Sequence, residues 1–211
     1  MIEIIWKPEL HSFNSCQEFA DEFRLCETDL ILTNEYIYQP YFGSMNLGCR
    51  VLYQEKYGIG EPTDTMTEAI MQDMKKTGCK RVIAIGGGTV IDIAKVLAVA
   101  GDESIDCLYD MAPALPKRRT LIIVPTTCGT GSEVTNISIL NRTRINTKMG
   151  LVGPAMYADA AVLAPRHAFR GASLWRVCSK LHRCTGSCGG VYSLPPKQQR
   201  TRNFSDIRLL R

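Results

Sequence analysis

The feature of this sequence that most constrains its fold is a run of β-branched and other apolar residues that ends in three consecutive glycines. Residues 83–85 are Ile, Ala and Ile; Gly86, Gly87 and Gly88 follow, and then a helical pattern over residues 89–95. Glycines lack a Cβ and let a phosphate come close, while the N–H groups that open the next helix face the anion. The order of strand, glycine turn and helix therefore predicts a phosphate-binding loop.

Short β-rich runs alternate with helical patterns over most of the chain. Strands are predicted at residues 29–33, 51–54, 81–85 and 120–124, with a crossover helix at residues 63–76. This alternation predicts an α/β fold with a mainly parallel, Rossmann-like sheet. In the helix after the glycines, Thr89 and Asp92 have the spacing of a capping box, which favours a capping role for Asp92 over a ligand contact.

A second strand ends in a loop that is rich in hydroxyl groups. After residues 121–125 come Thr126, Thr127, Thr130 and Ser132, with glycines between them. Ligands of open α/β sheets bind where the carboxyl ends of strands meet, so the two loops are expected to share one crevice. The four hydroxyls are expected to bond ribose, phosphate or carboxamide groups of such a ligand. The alternative is that they bond the backbone of their own turn. Cys128 has no histidine within its motif, and a nucleophilic role is not expected for it.

These two loops together resemble those of the iron-containing (group III) alcohol dehydrogenases. The matching stretches are AIGGGTVIDIAK and IIVPTTCGTGSEVTNISIL, and the resemblance covers roughly residues 25–164. It implies an α/β dinucleotide-binding domain, an all-helical domain after it, NAD in the cleft and a divalent metal, usually Fe²⁺. The stretches LTNEYIY, YQEKYGIGEPTD and TKMGLVGPAMYADAAVL look most like enzymes that interconvert 4-hydroxybutyrate and succinate semialdehyde.

The resemblance also implies roles for individual cofactor-binding residues. Gly86 to Thr89 hold the pyrophosphate, Thr126, Thr127 and Thr130 lie along the adenosine and its ribose, and Lys148 approaches the nicotinamide ribose. Family members commonly have an Asp where this chain has Asn34. Asn can bond the adenosine 2′-hydroxyl without repelling a 2′-phosphate, so NAD preference is expected to depend on Glu35, and NADP use stays open. The alternative for Glu35 is a solvated turn charge.

The metal ligands of the family are not found in the sequence. The family pattern is Asp-x-x-x-His followed by two further histidines, whereas this chain has only His11, His167 and His182. The helical domain and the metal site are therefore predicted to be missing, and no catalytic residue is assigned. The alternative to an active dehydrogenase is a catalytically inactive, truncated fragment that retains at most nucleotide binding.

The charge changes abruptly near residue 165. Residues 165–211 contain ten Lys and Arg but only one acidic residue, Asp206. Read one nucleotide later, the codons of residues 180–191 can spell SSIDALVHAVES, which includes the family pattern of the metal-ligand helix. We interpret residues 1–164 as the dinucleotide-binding domain and residues 165–211 as a poorly ordered basic tail, produced by a single-nucleotide frameshift near residues 164–166.

Two other interpretations of the tail are weaker. Cys178, His182, Cys184 and Cys188 could bind zinc, but they lack the paired C-x₂-C spacing of common zinc modules. The arginines of the tail favour nonspecific contact with nucleic acid over a specific nucleic-acid partner.

The sequence also predicts where the protein is found. The N-terminus has no signal-peptide pattern, and no apolar run is long enough to span a bilayer, so no membrane association is expected. The cysteines are dispersed along the chain, which favours a reducing, cytoplasmic setting. The resemblance implies a small alcohol or aldehyde substrate and a homo-oligomer.

Overall fold

A six-stranded parallel sheet forms the centre of the fold, in a computed structural model that describes residues 7–127 and 130–163. The strand order is β1-β8-β5-β4-β2-β3, and β6 and β7 form a separate antiparallel hairpin. The strands are β1 Glu9–Ser12, β2 Asp29–Thr33, β3 Arg50–Tyr53, β4 Arg81–Gly86, β5 Thr120–Pro125, β6 Ile137–Arg142, β7 Thr147–Val152 and β8 Ala160–Leu163. The helices are α1 Cys16–Glu22, α2 Glu35–Phe42, α3 Asp64–Lys75, α4 Gly88–Val99 and α5 Ile105–Met111.

The central strands are apolar along almost their whole length because helices cover both faces of the sheet. Leu32, Ala84 and Ile123 pack against α3, α4 and α5 on one face. Ile31 and Ile83 pack on the other face, beneath α1 and α2. Strands buried on both sides are typical of parallel α/β sheets. The predicted α/β class and parallel sheet are confirmed.

The predicted strands and the crossover helix are found within a residue or two of their expected ends. β2 has the predicted bounds, and α3 begins after Thr63, whose hydroxyl accepts a hydrogen bond from the N–H of Met66 at 3.1 Å. Gly78 follows the helix with φ +62°, a conformation that glycine adopts without strain. Local capping and turn signals therefore predicted both ends of this helix correctly.

The predicted capping role of Asp92 is wrong. α4 begins at Gly88 with Gly87 as its N-cap, and no side chain caps it. The glycine turn enters the helix before Thr89, so Asp92 lies one turn further along, and its carboxylate accepts a hydrogen bond from the N–H of Ile139 at 3.3 Å. In the described part of the chain, the N-terminus of α4 therefore has no side-chain capping bond, which leaves its first N–H groups available to another acceptor.

Several predictions fall outside the described residues. They concern Cys128, the proposed zinc ligands and the whole basic tail. Within residues 7–127 and 130–163, no helix has the length and apolar content needed to cross a membrane.

Candidate functional site

The two predicted loops meet at the carboxyl edge of the sheet. Gly86 is the register partner of Pro125 at the ends of β4 and β5. Immediately beyond, the N–H of Thr126 donates a hydrogen bond to the carbonyl oxygen of Gly86 at 2.9 Å. The glycine turn and the hydroxyl-rich loop therefore lie side by side, as the sequence predicted.

Each of the three glycines has its own steric surroundings. A Cβ on Gly86 would lie 2.7 Å from the side chain of Val90, so this position needs glycine for helix and strand to pack. A Cβ on Gly87 would lie 3.3 Å from the hydroxyl of Thr127. A Cβ on Gly88 would meet no atom of residues 7–127 and 130–163 within 4 Å. Open space therefore lies beside the first residue of α4, at the helix N-terminus, which is the end of a helix that attracts anions.

A third loop, residues 57–62, completes the crevice, and the sequence reasoning gave it no role in the site. The hydroxyl of Thr89 donates a hydrogen bond to the carbonyl oxygen of Gly60 at 3.1 Å. Glu61 forms an ion pair with Lys148 at 2.7 Å, between two exposed side chains. The paired glycines of this loop, Gly58 and Gly60, both have positive φ and were the sequence signal that could have indicated it.

The hydroxyl-rich loop uses part of its polar capacity on itself. The hydroxyl of Thr130 accepts a hydrogen bond from the N–H of Ser132 at 3.3 Å, and the carbonyl oxygen of Ser132 accepts one from the hydroxyl of Thr135 at 3.3 Å. Thr126 is buried and Thr127 is exposed beside the glycine turn. The cofactor contacts of Thr126, Thr127, Thr130 and Ser132 stay predictions.

A buried lysine on α4 bonds the segment that follows the hydroxyl-rich loop, and nothing in the sequence indicated this role. The Nζ of Lys95 donates hydrogen bonds to the hydroxyl of Thr135 at 3.0 Å and to the carbonyl oxygen of Ile137 at 2.7 Å. Burial lowers the pKa of Lys95 to about 8, although the nearby carboxylates of Asp92 and Glu133 oppose this change. Burial also raises the pKa of Asp92. Lys95 thus connects α4 to the segment that follows the hydroxyl-rich loop.

At the end of β2, the structure brings a different carboxylate beside Asn34 from the one predicted. The side-chain amide of Asn34 donates hydrogen bonds to Oε1 of Gln54 at 3.2 Å and to Oε2 of Glu55 at 2.8 Å. The other oxygen of Glu55 accepts the backbone N–H of Glu35 at 2.6 Å. Glu35 itself is exposed on the first turn of α2. Sequence reasoning missed Glu55 because its approach depends on how β2 and β3 pair.

The described residues do not offer a site for iron. Within residues 7–127 and 130–163, no three His, Cys, Asp or Glu side chains are close enough together to hold a metal ion. His11 instead packs among aromatic rings, with its centroid 5.2 Å from that of Phe23 and 6.1 Å from that of Phe13. We therefore assign no chemical step to a metal in this part of the chain.

Comparisons with known proteins agree with this geometry. A family model for the iron-containing alcohol dehydrogenases matches residues 12–165. The chain is 46% identical over 159 residues to a 4-hydroxybutyrate dehydrogenase of Clostridium kluyveri, an alignment that covers 75% of this chain and 43% of the relative. It is 32% identical over 139 residues to a sulfoacetaldehyde reductase of Bilophila wadsworthia, covering 61% of this chain and 35% of the relative.

Solved structures show the same fold. A sulfoacetaldehyde reductase from Bifidobacterium kashiwanohense in complex with NAD⁺ matches with a TM-score of 0.64 at 23% identity, covering 77% of this chain and 47% of that one. An iron-containing alcohol dehydrogenase matches with a TM-score of 0.63, also at 23% identity, covering 79% of this chain and 48% of that one. The chain thus spans less than half the length of the relatives and structures described here.

Proposed function

The chain belongs to the iron-containing alcohol dehydrogenase family, and we propose that residues 1–164 are the NAD-binding part of an enzyme that interconverts 4-hydroxybutyrate and succinate semialdehyde. The observation that supports this most is the contact of Thr126 with Gly86, which joins two loops around the open space beside Gly88. The choice of substrate rests on the 46% identity to the Clostridium kluyveri protein.

The chain's own residues hold and orient the cofactor. The N–H groups at the start of α4 and the positive end of its helix dipole stabilise the pyrophosphate. Lys148 lies across the crevice, paired with Glu61, and is proposed to turn to the nicotinamide ribose when the cofactor binds. NAD, when bound, supplies the nicotinamide ring that accepts or returns the hydride. Fe²⁺, expected from the family, would need ligands from residues other than the described ones.

The cellular location, the substrate class and the assembly of the enzyme are proposed as well. Cys16, Cys26, Cys49, Cys79 and Cys107 form no disulfide among the described residues, which supports a reducing, cytoplasmic environment. The substrate is a small alcohol or aldehyde, and a homo-oligomer is proposed from the family, with neither a membrane nor a specific nucleic acid as partner.

We propose further that the chain after residues 164–166 is read out of frame, so that the 211-residue chain binds nucleotide without transferring hydride. The support is the shifted reading of residues 180–191, which restores the family's metal-ligand pattern. Sequencing of the locus tests this directly. An independently determined, unbroken frame that encodes the arginine-rich segment would contradict it.

One experiment tests cofactor binding, substrate and reading frame together. NADH binding is measured by fluorescence for the 211-residue chain and for a frame-corrected chain, and oxidation of 4-hydroxybutyrate is followed after iron loading. We expect both chains to bind NADH and only the corrected chain to form succinate semialdehyde. No nucleotide binding by either chain would refute the dehydrogenase proposal. Activity of both would contradict the account of the frame, and activity of neither would count against the substrate.

A further inference from the structure

A carboxylate is fixed one strand away from the glycine turn. Thr33 and Ile85 are register partners in the β2–β4 pair, so Asn34 and Gly86 emerge next to each other at the same edge of the sheet. Glu55 reaches this edge from the 3-10 turn after β3 and bonds both the Asn34 side chain and the Glu35 backbone. Its position is therefore set by two hydrogen bonds that involve separate oxygens.

The bonded carboxylate still has room for a ligand. An ionised carboxylate accepts about four hydrogen bonds, and two of these positions on Glu55 are taken by Asn34 and Glu35. Glu55 is half-buried, so part of its side chain remains accessible. The carboxylate can therefore accept a sugar hydroxyl at the strand edge without losing the contacts that hold it.

The position of Glu55 matches the physical requirement for choosing between the two nicotinamide cofactors. In α/β dinucleotide folds, an acidic side chain at the end of a strand near the glycine turn bonds the ribose 2′-hydroxyl. The same charge repels the 2′-phosphate of NADP at short range. Asn34 is neutral, and Glu35 contributes its backbone N–H to this group, whereas Glu55 contributes a carboxylate.

We propose that Glu55 accepts the 2′-hydroxyl of the adenosine ribose and is the residue that makes this chain prefer NAD to NADP. The inference rests on the proposed function, because it requires a dinucleotide in the crevice. It also assigns Asn34 a different task from the one predicted: its side-chain amide positions the carboxylate of Glu55.

A purely structural role for Glu55 makes a different prediction. Asn34 is the N-cap of α2 but forms no side-chain capping bond, and Glu55 bonds the first N–H of that helix in its place. If Glu55 acted only as a cap, its loss would lower the free energy of unfolding and leave the ratio of NADPH to NADH affinity unchanged.

The test measures dissociation constants of NADH and NADPH by fluorescence titration of the purified full chain and its variants. Glu55→Gln removes the charge with little change in size, and Glu35→Gln removes the charge of its exposed neighbour as a matched control. We expect the wild type to bind NADH at least about tenfold more tightly than NADPH, and Glu55→Gln to reduce this preference by about tenfold, equivalent to roughly 1.4 kcal/mol. Glu35→Gln should change it less than about twofold.

The outcomes separate this inference from the proposed function. A wild-type chain that binds neither nucleotide refutes both. A wild-type chain that binds NADPH as tightly as NADH refutes the role of Glu55 alone, whether or not the Glu55→Gln variant folds. The role of Glu55 is also refuted if folded Glu55→Gln keeps the wild-type preference for NADH over NADPH. It is refuted as well if the preference falls in Glu35→Gln and not in Glu55→Gln.

Discussion

The buried Nζ of Lys95 lies 2.7 Å from the carbonyl oxygen of Ile137, to which it donates a hydrogen bond. Lys95 belongs to α4, the helix that follows the glycine turn, and Ile137 begins β6, just after the hydroxyl-rich loop. A second bond, to Thr135, secures the same segment. One ammonium group thus holds together the two structural elements that support the candidate cofactor loops.

Replacement of this lysine by Lys95→Met should destabilise the fold. Methionine fills a similar volume but leaves the hydroxyl of Thr135 and the carbonyl of Ile137 without their donor, at a cost of about 1–3 kcal/mol. Urea unfolding of wild type and variant at pH 7 measures the difference. NADH affinity should also fall, because the segment after the hydroxyl-rich loop loses its tie to α4. A variant as stable as the wild type would show that these two hydrogen bonds make no net contribution to the free energy of unfolding.

The same pair of proteins should show a distinctive pH dependence. The pKa of Lys95 is lowered to about 8 in the folded state from 10.5, so between these values the unfolded chain binds more protons. The free energy of unfolding contributed by this group therefore rises as pH increases through that range. The difference between wild type and Lys95→Met should widen there by up to about 3 kcal/mol. A constant difference from pH 7 to 10.5 would indicate an ordinary lysine pKa.

Asp64 connects α3 to the tip of the hairpin, and its replacement by Asn should be costly. Its carboxylate accepts hydrogen bonds from the N–H and the hydroxyl of Thr143 at 2.9 and 2.8 Å, and from the N–H of Thr65 at 2.8 Å. Asn would direct an amide donor at another donor, which costs about 1–3 kcal/mol. Thr143→Val, which keeps the N–H and loses only the hydroxyl, should cost less.

The effect of Asp64→Asn should depend on acid pH. Burial acts to raise the pKa of Asp64, but the hydrogen bonds from Thr143 and Thr65 outweigh it and hold the pKa below its ordinary value of 3.8. The stability that the carboxylate provides is therefore complete above that value and is lost as pH falls through the folded-state pKa. Urea unfolding should show the gap between wild type and variant closing below about pH 4. A gap that stays constant down to pH 2 would exclude this carboxylate as its source.

Alanine at two of the glycines should separate folding from cofactor binding. At Gly88 a methyl group meets no atom of the described part of the chain within 4 Å and lies at the start of a helix, so the free energy of unfolding should change by less than about 1 kcal/mol. The same methyl group occupies the proposed phosphate space and should weaken NADH binding about tenfold or more. At Gly86 it would collide with Val90, and Gly86→Ala should lose about 1–3 kcal/mol of stability. Equal NADH affinities for Gly88→Ala and wild type would place the phosphate elsewhere.

Lys148→Met should weaken cofactor binding with little effect on stability. The Lys148–Glu61 pair is exposed, and such pairs contribute less than about 1 kcal/mol. Lys76→Met provides a matched control, because Lys76, at the C-terminal end of α3, forms an ion pair with Asp73 at 2.6 Å and is itself exposed. We expect thermal unfolding to be similar for both variants and NADH affinity to fall severalfold only for Lys148→Met. A similar affinity in the two variants would remove Lys148 from the site.

The sequence predicted the central elements well because their causes are local. Residues 30–32 form an apolar run between Asp29 and Thr33, and Thr63 is a favourable N-cap, so β2 and α3 were found where expected. The capping role of Asp92 was wrong because the glycine turn starts α4 earlier than the capping-box spacing suggests. The hairpin of β6 and β7 was not predicted. It is joined to α3 by a hydrogen bond to Asp64 and to α4 by a hydrogen bond from Lys95, and the partners in both bonds are far apart in the sequence.

The sequence by itself determined the α/β class, the family and the position of the two candidate cofactor loops, because apolar runs, glycines and hydroxyl residues set the local structure of their own segments. Only the tertiary structure decided which side chains meet at the strand edge. The pairing of β2 with β3 brings Glu55 to Asn34, and the packing of the β6–β7 hairpin brings Lys148 to Glu61. The reason is physical: a hydrogen bond or an ion pair acts over a few ångströms of space, whatever the separation of its partners along the chain.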